Sequence, residues 1–138
     1  MLFVPKKSKF KKYQKGKSFK RINKVCSFIC LKKGSVGLKS LDFGRLTSKQ
    51  IESSKQAITK VIKKTGKLYI NVFPQTAISK KPLEIRMGKG KGSVDHWVFK
   101  IKPGVFLVEI ETNYTSLAIK ALNRASVRLP IRTKIVLF

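Results

Sequence analysis

The sequence predicts an α+β domain of two layers, in which two amphipathic helices cover one face of a mainly antiparallel sheet. Two segments carry apolar residues at helical spacing, and several others alternate apolar and polar residues as strands do. Packing both helices on one face of the sheet would bury both apolar stripes. A basic N-terminal arm and a long Gly-rich loop complete the architecture. The 138 residues suit one domain of ordinary size.

Residues 1–24 form the basic arm, which contains no acidic residue, and residues 25–138 are predicted to form the single domain. Phe10, Tyr13 and Phe19 are interleaved among the cations. The arm is either a solvated, disordered tail or a segment that orders on RNA, and we favour the second. Its lysines would then lie on phosphates, and its rings would pack on bases or on the domain. The arm cations expected to bind RNA are Lys6, Lys7, Lys9, Lys11, Lys12, Lys15, Lys17, Lys20 and Arg21.

Cys26 and Cys30 follow the arm, four residues apart in an apolar patch. Zinc needs four ligands, and the only other soft candidate is His96, far along the chain, so no metal site is predicted. A disulfide is not excluded, but two buried thiols are the favoured interpretation.

The first helix is predicted to begin at the capping box Thr47-Ser48-Lys49-Gln50. The Thr47 hydroxyl can accept from the backbone N–H of Gln50, and the Gln50 side chain can reach back. Gly66 stands where a left-handed residue would end the helix. The apolar side consists of Ile51, Ile58, Val61 and Ile62, and the expected RNA-binding side of Lys49, Lys60, Lys63 and Lys64.

Alternating apolar residues predict a strand over Lys67–Phe73 that ends at Pro74. A long polar connection follows. Two further strands, Val94–Ile101 and Val105–Glu111, are joined by Lys102-Pro103-Gly104. Because Pro followed by Gly is the usual order at the centre of a type II turn, these two strands are predicted to form a hairpin.

The second helix is predicted over about Tyr114–Leu129, with Pro130 ending it and Ile131–Leu137 forming the last strand. Lys120 and Arg124 lie four residues apart on this helix. Like charges at that spacing cost a helix a few tenths of a kcal/mol, which phosphates would offset. Both cations are therefore expected to bind RNA.

The charge balance points to a bound polyanion. There are 32 Lys and Arg residues against 6 Asp and Glu, giving a formal charge of +26, and a domain so charged repels itself. Glu109 and Glu111 lie two apart on one strand and are expected to pair with lysines, and His96 is expected to be structural or to contact RNA. No catalytic residue and no cofactor is predicted.

The Gly-rich loop, residues 84–93, is the most informative stretch. Glycines at alternate positions let the backbone approach a ligand closely and adopt positive φ, while Lys89 and Lys91 supply point charges and Arg86 a planar fork. A nucleotide-binding P-loop would need a Lys-Ser/Thr pair and a following helix, but a strand follows here. A mobile hairpin tip is the alternative, and a loop that contacts a phosphate backbone is favoured.

These motifs, taken in order, resemble the universal L-sixteen family of large-subunit ribosomal proteins, over about residues 3–137. The run from Arg86 to Gly92 followed by Trp97 is the most specific part. The other matching stretches are Pro5-Lys6, Lys9-Phe10, Lys15-Gly16, Gly37-Leu38-Lys39, Gly44-Arg45-Leu46-Thr47, Gln50-Ile51-Glu52, Gly66-Lys67, Val72-Phe73-Pro74, Lys81-Pro82-Leu83, Trp97-Val98, Lys102-Pro103-Gly104 and Leu129-Pro130-Ile131.

The resemblance implies a protein folded on large-subunit ribosomal RNA, among neighbouring ribosomal proteins, near the site where aminoacyl-tRNA is accommodated. Arg45 joins the expected RNA-binding residues. Arg86 matches an arginine that some bacteria hydroxylate, and catalysis would belong to the RNA. Asp95-His96 departs from the family's usual Glu-Tyr, and the segment Lys17–Lys33 is a few residues longer than in bacterial relatives. The loop expected near the tRNA acceptor ends and the peptidyl-transferase centre comprises Arg86, Met87, Gly88, Lys89, Gly90, Lys91 and Gly92.

The many Lys, Ile and Phe residues have AT-rich codons, and no separate transit extension is evident. Both features favour a mitochondrially encoded member of a mitochondrial ribosome, with a plastid or an AT-rich bacterium as alternatives. The longest apolar runs fall short of the ~20 residues that span a bilayer, so no membrane partner is expected, nor is a homo-oligomer. A DNA-compacting protein and an RNA-modifying enzyme are the competing functions. The Gly-rich loop and the two-layer α+β pattern argue against the first, and the second would need a cofactor pocket, of which the sequence shows no sign.

Overall fold

The structure is a computed structural model that describes residues 3–14 and 30–137. That part of the chain holds two helices and seven strands, which confirms the α+β class. The strands form two antiparallel sheets, ordered β3-β6-β1-β7 and β2-β5-β4, where one sheet was predicted. In chain order the elements are β1 (Val36–Ser40), β2 (Gly44–Thr47), α1 (Ser48–Ile62), β3 (Gly66–Ile70), β4 (Thr76–Lys80), β5 (Ser93–Ile101), β6 (Phe106–Thr112), α2 (Thr115–Ser126) and β7 (Thr133–Leu137).

The capping box that begins α1 is confirmed. The Thr47 hydroxyl accepts from Gln50 N at 3.3 Å, and Gln50 Oε1 accepts from Thr47 N at 3.0 Å. The prediction that Gly66 ends the helix is wrong, because α1 stops at Ile62 and Lys63 takes the positive φ of 50°. Gly66 instead opens β3, where an added Cβ would meet the Glu111 carbonyl oxygen at 2.7 Å.

The core lies between the helices and the four-stranded sheet. Helix α2 packs on α1 and on β1, β6 and β7, while α1 also touches β2. Alanines on α2 let it approach its neighbours closely. Tyr114, the first residue of the predicted second helix, is 62% exposed, and α2 ends at Ser126, three residues before the predicted end. The fully or almost fully buried helical side chains are Ile51, Ile58, Ile62, Ala118, Ala121, Leu122 and Ala125.

The predicted hairpin between β5 and β6 is wrong, although its turn is present. Gly104 has φ of 90°, and Val105 N donates to Lys102 O at 3.4 Å, as a type II turn requires. The two strands nevertheless belong to different sheets. Ser40 holds the turn, donating from Oγ to Lys102 O at 2.7 Å and accepting from Gly104 N at 2.8 Å. The turn therefore passes the chain from one sheet to the other.

The connection after β3 contains strand β4, which the sequence did not predict. It pairs with β5 in a register that shifts by one residue: Ile78 lies opposite His96, and Ser79 lies opposite Val94. Asp95 is therefore the extra residue of a β-bulge. A regular strand would have put Asp95 on the face opposite His96, and the bulge brings the two side chains together.

Glu109 on β6 is a buried charged residue, 1% exposed. Its Oε2 accepts backbone N–H groups from Lys32, Lys33 and Gly34 at 3.0, 2.8 and 3.1 Å, and its Oε1 accepts from Asn71 Nδ2 at 2.5 Å. The expectation that it pairs with lysine side chains is wrong, because its partners are three amides and a carboxamide. Glu109 thus fastens the chain before β1 to the sheet.

Glu111 also departs from the expected lysine pairing, because it accepts from the Tyr69 hydroxyl at 2.8 Å. That bond raises the Tyr69 pKa above its ordinary value. Cys30 is exposed, so the prediction of a buried thiol is wrong there. The predicted boundary at residues 24–25 lies outside the described residues, as do Lys15, Lys17, Lys20, Arg21 and Cys26. Within residues 3–14 and 30–137, no helix is long and apolar enough to cross a membrane.

Candidate nucleic-acid interface

The Gly-rich loop projects from the three-stranded sheet, between β4 and β5, and every residue from Pro82 to Lys91 is exposed. Gly88, Lys89 and Gly90 all have positive φ, at 99°, 51° and 82°. No atom lies within 4 Å of a Cβ added at Gly88 or Gly90. These two glycines therefore serve the backbone conformation, and the space beside them is open to a ligand.

The foot of the loop is tightly held. An added Cβ at Gly92 would meet the Lys80 carbonyl oxygen at 2.5 Å, so only glycine fits there without displacing the backbone. Lys81 Nζ donates to the Gly88 carbonyl across the loop. Lys81 lay outside the predicted site, yet it fixes the strand-side end of the loop.

The arm joins the loop at this foot. Lys12 Nζ donates to the Lys91 carbonyl at 2.8 Å, and Lys91 Nζ donates to the Tyr13 carbonyl. Lys100 Nζ on β5 lies 3.9 Å from the centroid of the Tyr13 ring, a cation–π contact. The arm and the loop, predicted as separate surfaces, therefore meet at reciprocal lysine contacts.

The described part of the arm, residues 3–14, is anchored at its start and exposes its cations. Phe3 packs edge-on against Phe73, with ring centroids 6.4 Å apart, and joins the core. Phe10 is 75% exposed with Lys9 Nζ 5.7 Å from its ring. Exposed aromatic rings beside cations are a common arrangement for stacking on bases. The exposed arm cations are Lys6, Lys7, Lys9, Lys11 and Lys12.

A second cationic surface crosses the two helices. Lys60 on α1 and Arg124 on α2 line one cleft together with Arg128 and the exposed Val127. Lys49, Lys63, Lys64 and Lys120 are also exposed, but they do not line this cleft. Arg45 lies on β2 opposite Lys100 and lines a cavity beside Lys91, so it groups with the loop foot.

Asp95 and His96 sit at the bulge beside the loop. His96 Nδ1 lies 2.8 Å from Asp95 Oδ2, which places the imidazole proton on Nδ1. This hydrogen bond lowers the pKa of Asp95 below its ordinary value, and Lys80 and Lys49 add to that effect. The pair is exposed, and in the described residues no group of three or more His, Cys, Asp or Glu side chains could hold a metal ion.

Arg132 differs from the interface cations, because Asp42 already holds it. Arg132 Nε donates to Asp42 Oδ2 at 2.8 Å and Nη2 donates to Oδ1 at 2.9 Å, a bidentate pair. The pair lowers the pKa of Asp42 and raises that of Arg132. It ties the turn after β1 to β7 and leaves Arg132 outside the candidate interface.

Sequence reasoning missed Lys81, Lys100 and Arg128. Lys100 and Lys81 were missed because β4 was not predicted. Lys100 lies on β5, which pairs with β4, and Lys81 directly follows the end of β4, so neither could be placed near the loop. Arg128 falls inside the helix that was predicted to run to Leu129 and was not among its expected RNA-binding cations. Because α2 ends two residues earlier, at Ser126, Arg128 is exposed instead.

The chain resembles known proteins over nearly its whole length. A family model described as Ribosomal protein L16p/L10e matches residues 5–136. The curated proteins called Large ribosomal subunit protein uL16 in Psychrobacter cryohalolentis and Psychrobacter arcticus are each 46% identical over 135 residues, 98% of this chain and 96% of theirs. The protein of the same name in Rickettsia akari is 44% identical over 135 residues, 98% of this chain and 97% of its own.

Proposed function

The chain belongs to the Ribosomal protein L16p/L10e family, and we propose that it is a structural constituent of the large ribosomal subunit that binds large-subunit RNA. The family consists of ribosomal structural proteins, which agrees with the prediction that the chain is no enzyme. Its partners would be large-subunit RNA and neighbouring large-subunit proteins.

Support for RNA binding comes above all from where the charge lies. The formal charge of +26 is spread over arm, loop and helices, and Glu109, the buried carboxylate, is satisfied by backbone amides rather than by lysines. The lysines therefore stay at the surface, where phosphates can neutralise them. Binding of this kind releases counterions and weakens steeply with salt. The RNA-binding surface would comprise the described arm cations with Arg45, Lys49, Lys60, Lys63, Lys64, Lys120 and Arg124, and in the same arm Lys15, Lys17, Lys20 and Arg21.

We also propose that the Gly-rich loop, Arg86 to Gly92, lies near the acceptor ends of tRNA at the peptidyl-transferase centre. The loop is exposed from Arg86 to Lys91, is anchored at Gly92, and has open space beside its backbone at Gly88 and Gly90. Backbone amides and point charges suit a phosphate or a ribose. The loop would position RNA without taking part in bond making.

We propose that the chain works in a mitochondrial ribosome, and the alternatives are the ribosome of a bacterial cytoplasm or of a plastid. Lysine far exceeds arginine in the sequence, as AT-rich coding favours. Relatives from bacteria suit all three locations, since organellar ribosomes are of bacterial type. Sedimentation of mitochondrial, plastid and cytosolic fractions with a tagged chain would assign the compartment.

Sedimentation through a sucrose gradient tests the central proposal. The tagged chain should travel with large subunits and should leave them only in high salt. Travel with DNA, or with small subunits, would refute the ribosomal assignment. Removing residues 1–24 should lower the yield of large subunits, and a normal yield would refute the role of the arm.

The loop is tested separately from assembly. Arg86→Ala, or shortening Gly88–Gly92, should slow tRNA accommodation in subunits that contain normal amounts of the chain. Lys134→Ala is a matched control, because Lys134 is an exposed cation on β7, outside the candidate interface. Equal accommodation rates in loop variants and control would contradict the loop assignment.

A further inference from the structure

A cavity lies between Tyr13 of the arm and the three-stranded sheet. Its volume is about 290 Å³, and its walls come from the arm, the loop foot and all three strands of that sheet. This lies at the lower end of the ~300–1,000 Å³ that small-molecule sites occupy. It is large enough for one nucleotide and too small for a duplex.

The cavity is strongly cationic. Among the described residues that line it, Arg45, Lys91 and Lys100 are cations and none carries a carboxylate. Arg45 and Lys100 lie directly opposite each other on β2 and β5. An anion bound between two cations that face each other on one sheet is attracted by both.

The other walls suit a base and a ribose. Tyr13 contributes an aromatic ring, and Ile78 on β4, on the same face of the sheet as Val98 on β5, contributes apolar surface. Thr76, which pairs with Val98, contributes a hydroxyl that can both donate and accept hydrogen bonds. An aromatic ring, an apolar wall and clustered cations are what single-stranded nucleic acid sites combine.

We propose that this cavity holds one unpaired nucleotide of the large-subunit RNA. Its base would stack on the Tyr13 ring in exchange for the Lys100 ammonium, and its phosphate would lie between Arg45, Lys91 and Lys100. The proposal rests on the RNA binding proposed above. It adds a specific contact, because helix-face lysines on phosphates would not select an unpaired nucleotide.

Occupancy of the cavity also bears on the Gly-rich loop. Lys91 lines the cavity, its Nζ donates to the Tyr13 carbonyl, and its own carbonyl accepts from Lys12. A nucleotide held against Tyr13 therefore fixes the arm and the foot of the loop together. The RNA that the arm captures would set where the loop points.

Chemical probing of the RNA tests the proposal. Large subunits are isolated from cells in which Tyr13→Ala, Tyr13→Phe, Lys100→Gln or Lys134→Gln replaces the natural chain, and 2′-hydroxyl acylation is measured at every nucleotide. Tyr13→Phe keeps the ring, and Lys134→Gln removes a cation far from the cavity. In Tyr13→Ala, reactivity at one or two unpaired nucleotides should rise about fivefold or more, because one lost base stack shifts a local equilibrium by that factor. Lys100→Gln should affect the same nucleotides, and both controls should match the natural chain.

A photocrosslink identifies the occupant directly. With p-benzoylphenylalanine in place of Tyr13, the crosslink should form to those same nucleotides. A crosslink to a neighbouring ribosomal protein, or unchanged reactivity in Tyr13→Ala subunits that contain the chain, would overturn the nucleotide site while leaving RNA binding intact. Absence of the natural chain from large subunits would instead overturn the proposed function.

Discussion

Replacing Glu109 by Gln probes the buried carboxylate of β6 with almost no change of shape. The natural carboxylate accepts three backbone N–H groups on one oxygen and the Asn71 amide on the other. Hydrogen bonds to a charged group contribute ~1.5–3 kcal/mol each, and neutral ones ~0.5–1.5. Losing the charge therefore weakens each of the three hydrogen bonds from backbone amides by about 1 kcal/mol. Part of this loss is offset, because a neutral amide costs less to bury than a carboxylate. We expect the free energy of unfolding to fall by about 1–3 kcal/mol.

The pH dependence of the stability difference between the natural chain and Glu109→Gln provides an independent test. Burial acts to raise the pKa of Glu109, but the hydrogen bonds from Lys33, Asn71, Gly34 and Lys32 outweigh it and hold the pKa below its ordinary value of 4.5. A carboxyl whose folded pKa is depressed stabilises the fold above its unfolded pKa and loses that contribution as pH falls through the folded pKa. The difference between the natural chain and Glu109→Gln should therefore be full near neutral pH and should shrink below about pH 4.5.

Urea unfolding followed by the fluorescence of Trp97, the only tryptophan, measures both effects. Glu111→Gln is a matched control, because Glu111 is an exposed residue of the same strand. A Glu109→Gln chain as stable as the natural one at neutral pH would refute the reasoning, and so would a difference that persists unchanged in acid.

Three further changes have defined outcomes. Thr47→Ala removes the cap of α1 and should lower the free energy of unfolding by ~1 kcal/mol in the same urea experiment, whereas Thr59→Ala, within the helix, should cost less. Gly92→Ala forces a Cβ against the Lys80 carbonyl, so the free energy of unfolding should fall by ~1–3 kcal/mol, or the loop foot should move and the loop should be cut faster by a protease. Gly88→Ala meets no neighbouring atom and should cost only ~1–2 kcal/mol, from the strain of its positive φ. Lys60→Gln with Arg124→Gln should reduce the log–log salt slope of RNA binding by about 1.4–1.8, and an unchanged slope would contradict phosphate contact at the helix cleft.

Local sequence signals predicted local structure well. The capping box, the apolar stripes of both helices and the type II turn all depend on neighbouring residues, and all are present. Strand β4 was missed because Thr76–Lys80 has only two apolar residues and derives its order from pairing with β5. The predicted hairpin was wrong because the turn at Lys102–Val105 is a local feature that does not determine strand pairing. The turn is held by Ser40, 62 residues before Lys102 in the chain, and the strands on its two sides join different sheets.

The candidate interface was predicted by residue type more than by geometry. The predicted cations of the loop, the helices and residues 3–14 are exposed, since a charged residue is seldom buried without a partner, and their contact with RNA stays a prediction. Their grouping needed the fold, because Tyr13 and Arg45 are far in sequence from Lys91 and Lys100. The bulge at Asp95 also has no signal in the sequence, since it follows from the register of β4 against β5.

The Glu109 contacts have a consequence for how related chains can differ in length. Tyr13 is held at the loop foot and Lys32–Gly34 at Glu109, so both flanks of residues 15–29 have fixed positions. These two anchors are independent of each other, because the first holds the arm on the Gly-rich loop and the second holds the chain before β1 on β6. The arm therefore keeps its register on the loop foot, and the sheet keeps its own, whatever length of chain joins them.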